Sequence, residues 1–488
     1  MSKQPVVRAA AVSRQTRLTA VIVACALFMQ NLDSTIIATA LPTMARSFGY
    51  DPVRMNVALT SYLLSLTVFI PASGWVADRY GSRNVFRMAV VVFTAGSIWC
   101  GLSSGLPELV AARVLQGLGG AMMVPVGRLL LLRTAAKTEL VAAMAWLTMP
   151  ALIGPVVGPP LGGFIVTYFD WRWTFFINIP VGIVGIIAVS LYIKDFREPP
   201  KGRFDLTGFL WSGLAMVCAM AGMETVARDL VPVPVTLGLV AAGFVFAFAY
   251  FAHARRTAAP LLDFTLLRQP SFGLSISAMM LFRTGIGAVP FLLPMMLQVG
   301  FGEAAVQSGL ITFASSAGAL VMKPAAQYAL RMFGFRDTLI WNGILSAFLL
   351  AICALFRPTW PAAAIYLALL AGGFFRSLQF TALNTLAYSD VPRPQMSAAT
   401  SLYTCGQQLA ATIGVTIGAL SLELARIMSH HVAPQNTDFS VAFLVVAGLT
   451  LFSVPFGYFL PAGAGDDLTG RKPVPATPAK AAPRAGGH

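Results

Sequence analysis

The sequence is short of charge. Only 11% of its 488 residues are Asp, Glu, Lys or Arg, against about a quarter in a water-soluble domain. Acid is the scarcer sign, with 19 Asp and Glu against 34 Lys and Arg. Histidine is rarer still, four in all. Neither the histidines nor the carboxylates gather at metal-ligand spacing or beside a nucleophile. A metal site, a resident cofactor and an enzymatic centre are therefore not expected. The five cysteines (Cys25, Cys100, Cys218, Cys353, Cys405) are odd in number, lie in apolar runs and form no C-x-x-C pair. They read as small buried hydrophobes rather than a disulfide framework. A cleavable signal peptide is not expected either, because residues 1–17 are basic and polar and the apolar run after them is too long.

What the chain has instead is hydrophobic length. Its composition is 57% hydrophobic and its mean hydropathy is +0.74. Fourteen apolar spans can be read between residues 18 and 461, each near the roughly 20 residues that a helix needs to cross a bilayer. The expected fold is an all-α integral membrane protein. It divides into an N-terminal segment (1–17), six helices (18–193), a linker with two extra helices (194–271), six more helices (272–461) and a disordered tail (462–488) rich in Pro, Ala, Gly and Lys. With the N-terminus inside, roughly 23 of the 34 Lys and Arg fall in inner segments and about 6 in outer ones. That asymmetry is the positive-inside pattern and puts both termini in the cytoplasm. A count of thirteen spans would destroy it. The net charge of +15 thus reports topology, and nucleic acid is not expected as a partner.

The chain is organised around Gly74-Trp75-Val76-Ala77-Asp78-Arg79-Tyr80-Gly81-Ser82-Arg83. Its charges cannot sit in hydrocarbon, so this turn marks the membrane surface and forces the flanking helices side by side. It resembles the Gly-x-Leu-Ala-Asp-Arg-x-Gly-Arg-Lys loop of major facilitator superfamily transporters, with Val76 for Leu and Ser82 for the first basic residue. The resemblance implies a latch on the inner side, formed by Gly74, Asp78, Arg79, Gly81 and Arg83. Asp78 would accept from a neighbouring helix N-terminus, and Arg79 and Arg83 would pair nearby. Gly334-Phe335-Arg336 echoes the same turn in the second half.

Four further stretches carry chemistry. The first span holds Gln30-Asn31-Leu32-Asp33-Ser34-Thr35, with Asp33 about two-thirds of the way across. A carboxylate at that depth should face a water-filled cavity or exchange a proton; the plainer alternative is a fixed ion pair with a nearby arginine. The fourth span holds Arg113-Val114-Leu115-Gln116-Gly117, similar to the superfamily's Arg-x-x-Gln-Gly pattern, and Arg113 lies in the outer half as Asp33 does, with a lipid-headgroup anchor as the alternative. The fifth holds Gly154-Pro155-Val156-Val157-Gly158-Pro159-Pro160-Leu161-Gly162-Gly163. Glycines four apart let helices approach, and prolines remove backbone donors and kink a helix. This stretch is similar to the motif that marks antiporters within the superfamily. In the second half, Arg283, Gln298, Lys323, Arg376, Gln379 and Asn384 lie within spans that hold no mid-depth acid. They form a candidate anion-binding wall, with packing against backbone carbonyls as the alternative.

The chain is identified as a member of the fourteen-helix drug:proton antiporters of the bacterial inner membrane, a likeness that runs from about Leu18 to Leu460. It implies proton-driven export by alternating access. Asp33 and Arg113 would couple protons, and a central cavity would be lined by Gln30, Asn31, Gln116, Arg283, Gln298, Arg376, Gln379 and Asn384. The expected partners are protons, a small-molecule substrate and the lipid bilayer, with an accessory periplasmic adaptor as a further candidate. Broad export of amphipathic drugs, export of a small anionic metabolite or carboxylate chelate, and a non-transporting membrane sensor all stay open at this point.

Overall fold

The structure, a computed structural model, describes residues 12–50, 52–197, 202–228, 232–461 and 463–469. Among the described residues the chain is helical, with no strand. The first block comprises α1 (Arg14–Phe48), α2 (Pro52–Phe69), α3 (Ser73–Tyr80), α4 (Ser82–Leu102), α5 (Leu106–Thr134), α6 (Leu140–Tyr168), α7 (Trp173–Phe176) and α8 (Asn178–Tyr192). Then come α9 (Leu206–Arg228) and α10 (Val233–Ala254). The last block comprises α11 (Pro270–Gly287), α12 (Val289–Met295), α13 (Ala305–Asp337), α14 (Gly343–Ile352), α15 (Ala362–Leu386), α16 (Met396–Met428), α17 (Asn436–Leu451), α18 (Val454–Tyr458) and α19 (Asp466–Thr469).

Eleven helices among the described residues are long and apolar enough to cross a membrane, and the chain is a multi-pass membrane protein. One of those stretches, Gln307–Leu355, is 49 residues long, more than a single crossing uses. It breaks at Gly334, where φ is 78°. Gly81 has φ 88° at the echoing turn of the first half. Both turns need this left-handed backbone, which glycine adopts without a side-chain clash.

The packing separates two ends of the molecule. At the end that carries the Gly81 turn and most of the described arginines and lysines, here the basic end, one continuous apolar core joins residues of both blocks, from Val23 and Phe86 to Phe335 and Tyr403. At the opposite end each block has a core of its own, one around Met44 and Trp171, the other around Leu292 and Phe439. The blocks are thus sealed together at the basic end. Contacts of α16 with α3 and α5, and of α13 and α15 with α6, cross between them. Helix α9 packs on α2 and α16 and so touches both blocks, while α10 packs on α9.

The tail departs from expectation at its start. Residues 463–469 are ordered onto the basic end: Leu468 is fully buried, and α19 packs on α13, on α6 and on the turn Lys137–Glu139. The rest of the tail, like residues 1–11, lies outside the described residues.

Candidate functional site

Asp33 is buried, at 2% exposure, and does not line an open cavity. Its carboxylate accepts from Arg113 Nη1 at 2.6 Å, Gln116 Nε2 at 2.9 Å and Asn178 Nδ2 at 2.9 Å. This corrects the expectation of a water-facing acid: three donors from α5 and α8 replace water around the charge. Arg113 is itself fully buried. It donates through Nε to the carbonyl of Ala58 and through Nη1 to Gln116, and its guanidinium lies 4.4 Å from the centre of the Tyr62 ring. Ser97 accepts from both Gln116 and Asn178. Gln116, expected in the cavity wall, is thus part of this sealed cluster. Next to it, Arg113 Nη2 is buried without a hydrogen bond, and the buried Tyr62 hydroxyl lies beside the Gln30 amide. They form a polar track from Asp33 toward Gln30.

Helix α1 is fixed by the glycine ridge of α6. A Cβ on Gly154 would stand 3.0 Å from the Leu32 nitrogen, one on Gly158 2.0 Å from Thr35 Oγ1, and one on Gly162 2.2 Å from Thr39 Oγ1. Thr35 and Thr39 turn their hydroxyls back onto carbonyls of α1, so neither hydroxyl is stranded at the seam. Asn31 borders the same ridge beside Gly154. Gly163 meets open space and is not part of the contact. The helix runs through Pro155 and Pro159, whose side chains lie outside the described residues.

At the basic end the turn meets the second block. Asp78 accepts from Arg133 Nη2 at 3.0 Å and from the hydroxyl of Ser397, in the first turn of α16. Gly74 lies so close to Ser397 O and Ser401 Oγ that a Cβ would stand 2.8 Å from each. Ser73 and Ser401 share a hydrogen bond of 2.9 Å. Two expected members differ. Arg79, expected to pair nearby, is exposed, and Arg133 is the arginine beside Asp78. Arg83 binds Asp195 through its backbone N–H, at 3.2 Å, rather than through a guanidinium ion pair. Gly81 packs on the same carboxylate, where a Cβ would stand 2.6 Å away.

Arg128 of α5 also crosses between blocks, to Tyr388 Oη at 3.3 Å and Gln407 Oε1 at 3.1 Å. Arg283 donates to the Gln407 carbonyl at 3.0 Å, and Gln407 donates to Asn384 at 3.3 Å. Arg283 and Asn384 thus sit together at the seam. Arg376 donates to Ser315 Oγ at 2.8 Å, and buried Lys323 to Thr381 Oγ1 at 3.0 Å. Among the described residues none of these three cations has an acidic partner. Two expected wall residues lie elsewhere. Gln379 is buried against Asn342 and the Leu339 carbonyl, inside the second block. Gln298 is exposed in the π-helical stretch Met296–Gly300, donating to Ser308 at 3.4 Å.

The Major Facilitator Superfamily model matches residues 23–415 and 276–485. The chain belongs to the major facilitator superfamily. A relative from Escherichia coli O157:H7, named for multidrug resistance as MdtD, is 39% identical over 445 residues, 90% of this chain and 92% of that protein. The MdtD of Klebsiella pneumoniae strain 342 is 39% identical over 433 residues, 88% of this chain and 91% of that one. In fold the chain is similar to the human organic anion transporter MFSD10, with a TM-score of 0.66 at 14% identity, covering 91% of this chain and all of that one. It is also similar to the proton:xylose symporter XylE, with a TM-score of 0.63 at 16% identity, covering 93% and 98%. These are transporters, and this superfamily member is a transporter of small molecules rather than an enzyme.

Reading the sequence alone misses Tyr62, Asn178, Arg128, Arg133 and Ser397. Asn178 offers a signal: a lone amide within Phe-Phe-Ile-Asn-Ile-Pro must find a partner in the membrane. Arg128 and Arg133 sit near a span end, where a snorkelling cation and an interblock bond look alike in sequence. Ser397 offers none.

Proposed function

We propose that this chain is a proton-coupled exporter of the bacterial inner membrane that works by alternating access. Fourteen helices would form two bundles (18–193 and 272–461) around a linker pair (194–271), with both termini cytoplasmic. Support for that count comes from the eleven spans, the break of one at Gly334, and the long helices α6 and α9. The arginine-rich basic end is then the cytoplasmic one, and the structure is closed there. Asp78, Arg133 and Ser397 act as the latch.

The observation that carries the reading is the buried Asp33–Arg113 pair. Removing one charge from such a pair leaves the other uncompensated, at about 3–5 kcal/mol. Protonation of Asp33 and displacement of Arg113 therefore occur together. A proton taken up is converted into movement of α5 against α1, and it reaches Asp33 past Tyr62 and Gln30 when that movement unseals the cluster. Outward release of substrate and inward passage of the proton share this cycle.

The three acid-free cations of the second block favour neutral or anionic amphipathic substrates, from drugs to carboxylate metabolites, over cationic ones. The experiment is flux in proteoliposomes under an imposed pH gradient, with a panel of organic anions and cationic dyes. Gradient-driven flux of the anions supports the reading. Absence of any gradient-driven flux would favour a sensor.

A further inference from the structure

A crevice of about 880 Å³ lies outside the site just described, between α4, α5, the α2–α3 corner and the start of α9. Its depth is apolar: Phe69, Val92, Leu118 and Met122 face it, and among the described residues no Asp or Glu lines it. Its mouth is polar and cationic, with Tyr80, Asn84, Arg87 and Arg197. Arg197 is largely exposed and paired with Asp195 at 3.1 Å. Asp195 is engaged by the Arg83 N–H as well, so Arg197 can turn to another anion without stranding that carboxylate. Met88 and Tyr80 are exposed along the rim.

The wall toward α9 is built of rings. Phe69 meets Phe209 at 5.7 Å, Phe204 meets Phe209 at 5.8 Å, and Trp75 meets Phe204 at 5.1 Å. The indole N–H of Trp75 donates to the Gly202 carbonyl at 3.2 Å. A tryptophan with its ring in apolar contact and its N–H on polar backbone marks the depth at which hydrocarbon gives way to headgroups. Tyr80, which lines the mouth with Arg87 and Arg197, meets that ring at 6.4 Å, and Val92 lies further along α4 from the basic end, on the hydrocarbon side.

From this charge and polarity gradient we propose that the crevice is a binding site for one anionic phospholipid of the leaflet at the basic end. An acyl chain fills the slot over Val92 and Met122, and the phosphate lies between Arg87 and Arg197. Arginine is suited to this because its planar fork holds phosphate oxygens in pairs. Helix α9 gains a role from the site: it supplies the aromatic wall that turns an open bundle face into a slot. The lipid also lies against Val76 and Tyr80 of α3, the helix that carries Asp78.

The test is native mass spectrometry of the full chain with dioleoyl-phosphatidylglycerol and, separately, dioleoyl-phosphatidylcholine, which has the same chains on a neutral headgroup. One phosphatidylglycerol should be retained with a preference of about tenfold or more, the order that two interfacial arginines give. R87Q with R197Q should abolish that preference while the protein still elutes as a single folded species. Val92→Trp, which fills the slot and leaves the charges, should lower retention of phosphatidylglycerol severalfold. Equal retention of the two lipids by the unaltered protein would overturn the proposal. So would a preference that survives the arginine changes, or retention unaffected by Val92→Trp.

Discussion

The latch can be weakened by one hydroxyl. Asp78 and Arg133 both belong to the first block, so their ion pair survives whether the basic end is open or closed. The Ser397 hydroxyl comes from the second block, and its bond to Asp78 exists only when the ends meet. Ser397→Ala removes that bond and leaves the pair with Arg133 intact. A hydrogen bond to a charged group contributes about 1.5–3 kcal/mol, all of it in the closed state. The population open at the basic end should then rise about ten- to a hundredfold. Ser401→Cys reports it directly, because Ser401 is fully buried at this seam and a thiol there reacts only during opening. With the five native cysteines replaced, the rate of modification by a membrane-impermeant maleimide is measured with and without Ser397→Ala. An unchanged rate, within twofold, would show that Asp78 holds its own bundle together and does not latch the two.

Other perturbations test other joints. Gly158→Val drives a Cβ into Thr35 and should lower the thermal midpoint in detergent by the several degrees that roughly 1–3 kcal/mol of overpacking gives, whereas Gly163→Ala should leave it unchanged. Leu468→Asp should undock α19, at about 1.5–3 kcal/mol of lost burial, and raise protease cleavage of the tail severalfold; Leu468→Met should not. Glu139 ties the turn before α6 to the start of α1, accepting from Ser13 N–H at 2.9 Å and Thr16 Oγ1 at 2.8 Å. Burial pushes its carboxyl up, but the hydrogen bonds from Thr16 and Ser13 outweigh burial and hold it below the ordinary 4.5. A depressed carboxyl stabilises the fold above 4.5 and loses that contribution as the pH falls through the lower folded value. Protection of the Ser13–Thr16 amides against hydrogen exchange, relative to the free-chain rate at each pH, should therefore fall only in that acid window, and Glu139→Gln should remove that step.

The helical class was legible because apolar length and charge scarcity leave a membrane chain little alternative. The Asp33–Arg113 pairing was legible as well, since two opposite charges in the same half of the membrane need each other. The setting of Asp33 was not. Whether a buried acid faces water or three protein donors depends on the rotation of α5 and α8 about their axes, which the spacing of Asn178 and Gln116 does not fix. Gln379 and Gln298 were misplaced for the same reason: an amide in an apolar run must bond something, but Asn342 across a helix pair serves as well as a cavity. The tail was misread because its composition signals disorder after residue 470, while the single Leu468 that anchors its start carries little weight in an average.

The central claim is that Asp33 converts a proton gradient into substrate movement. Proteoliposomes separate this from folding through two assays on one preparation: exchange of labelled substrate at equal pH, and accumulation against a gradient when pH is stepped. The substrate used is whichever organic anion the panel shows the unaltered protein to move. Asp33→Asn is uncharged like the protonated acid, with Oδ1 still able to accept from Gln116 and Asn178, so it should keep exchange with Arg113 displaced and lose gradient-driven accumulation. Accumulation at the unaltered rate in Asp33→Asn would contradict the account.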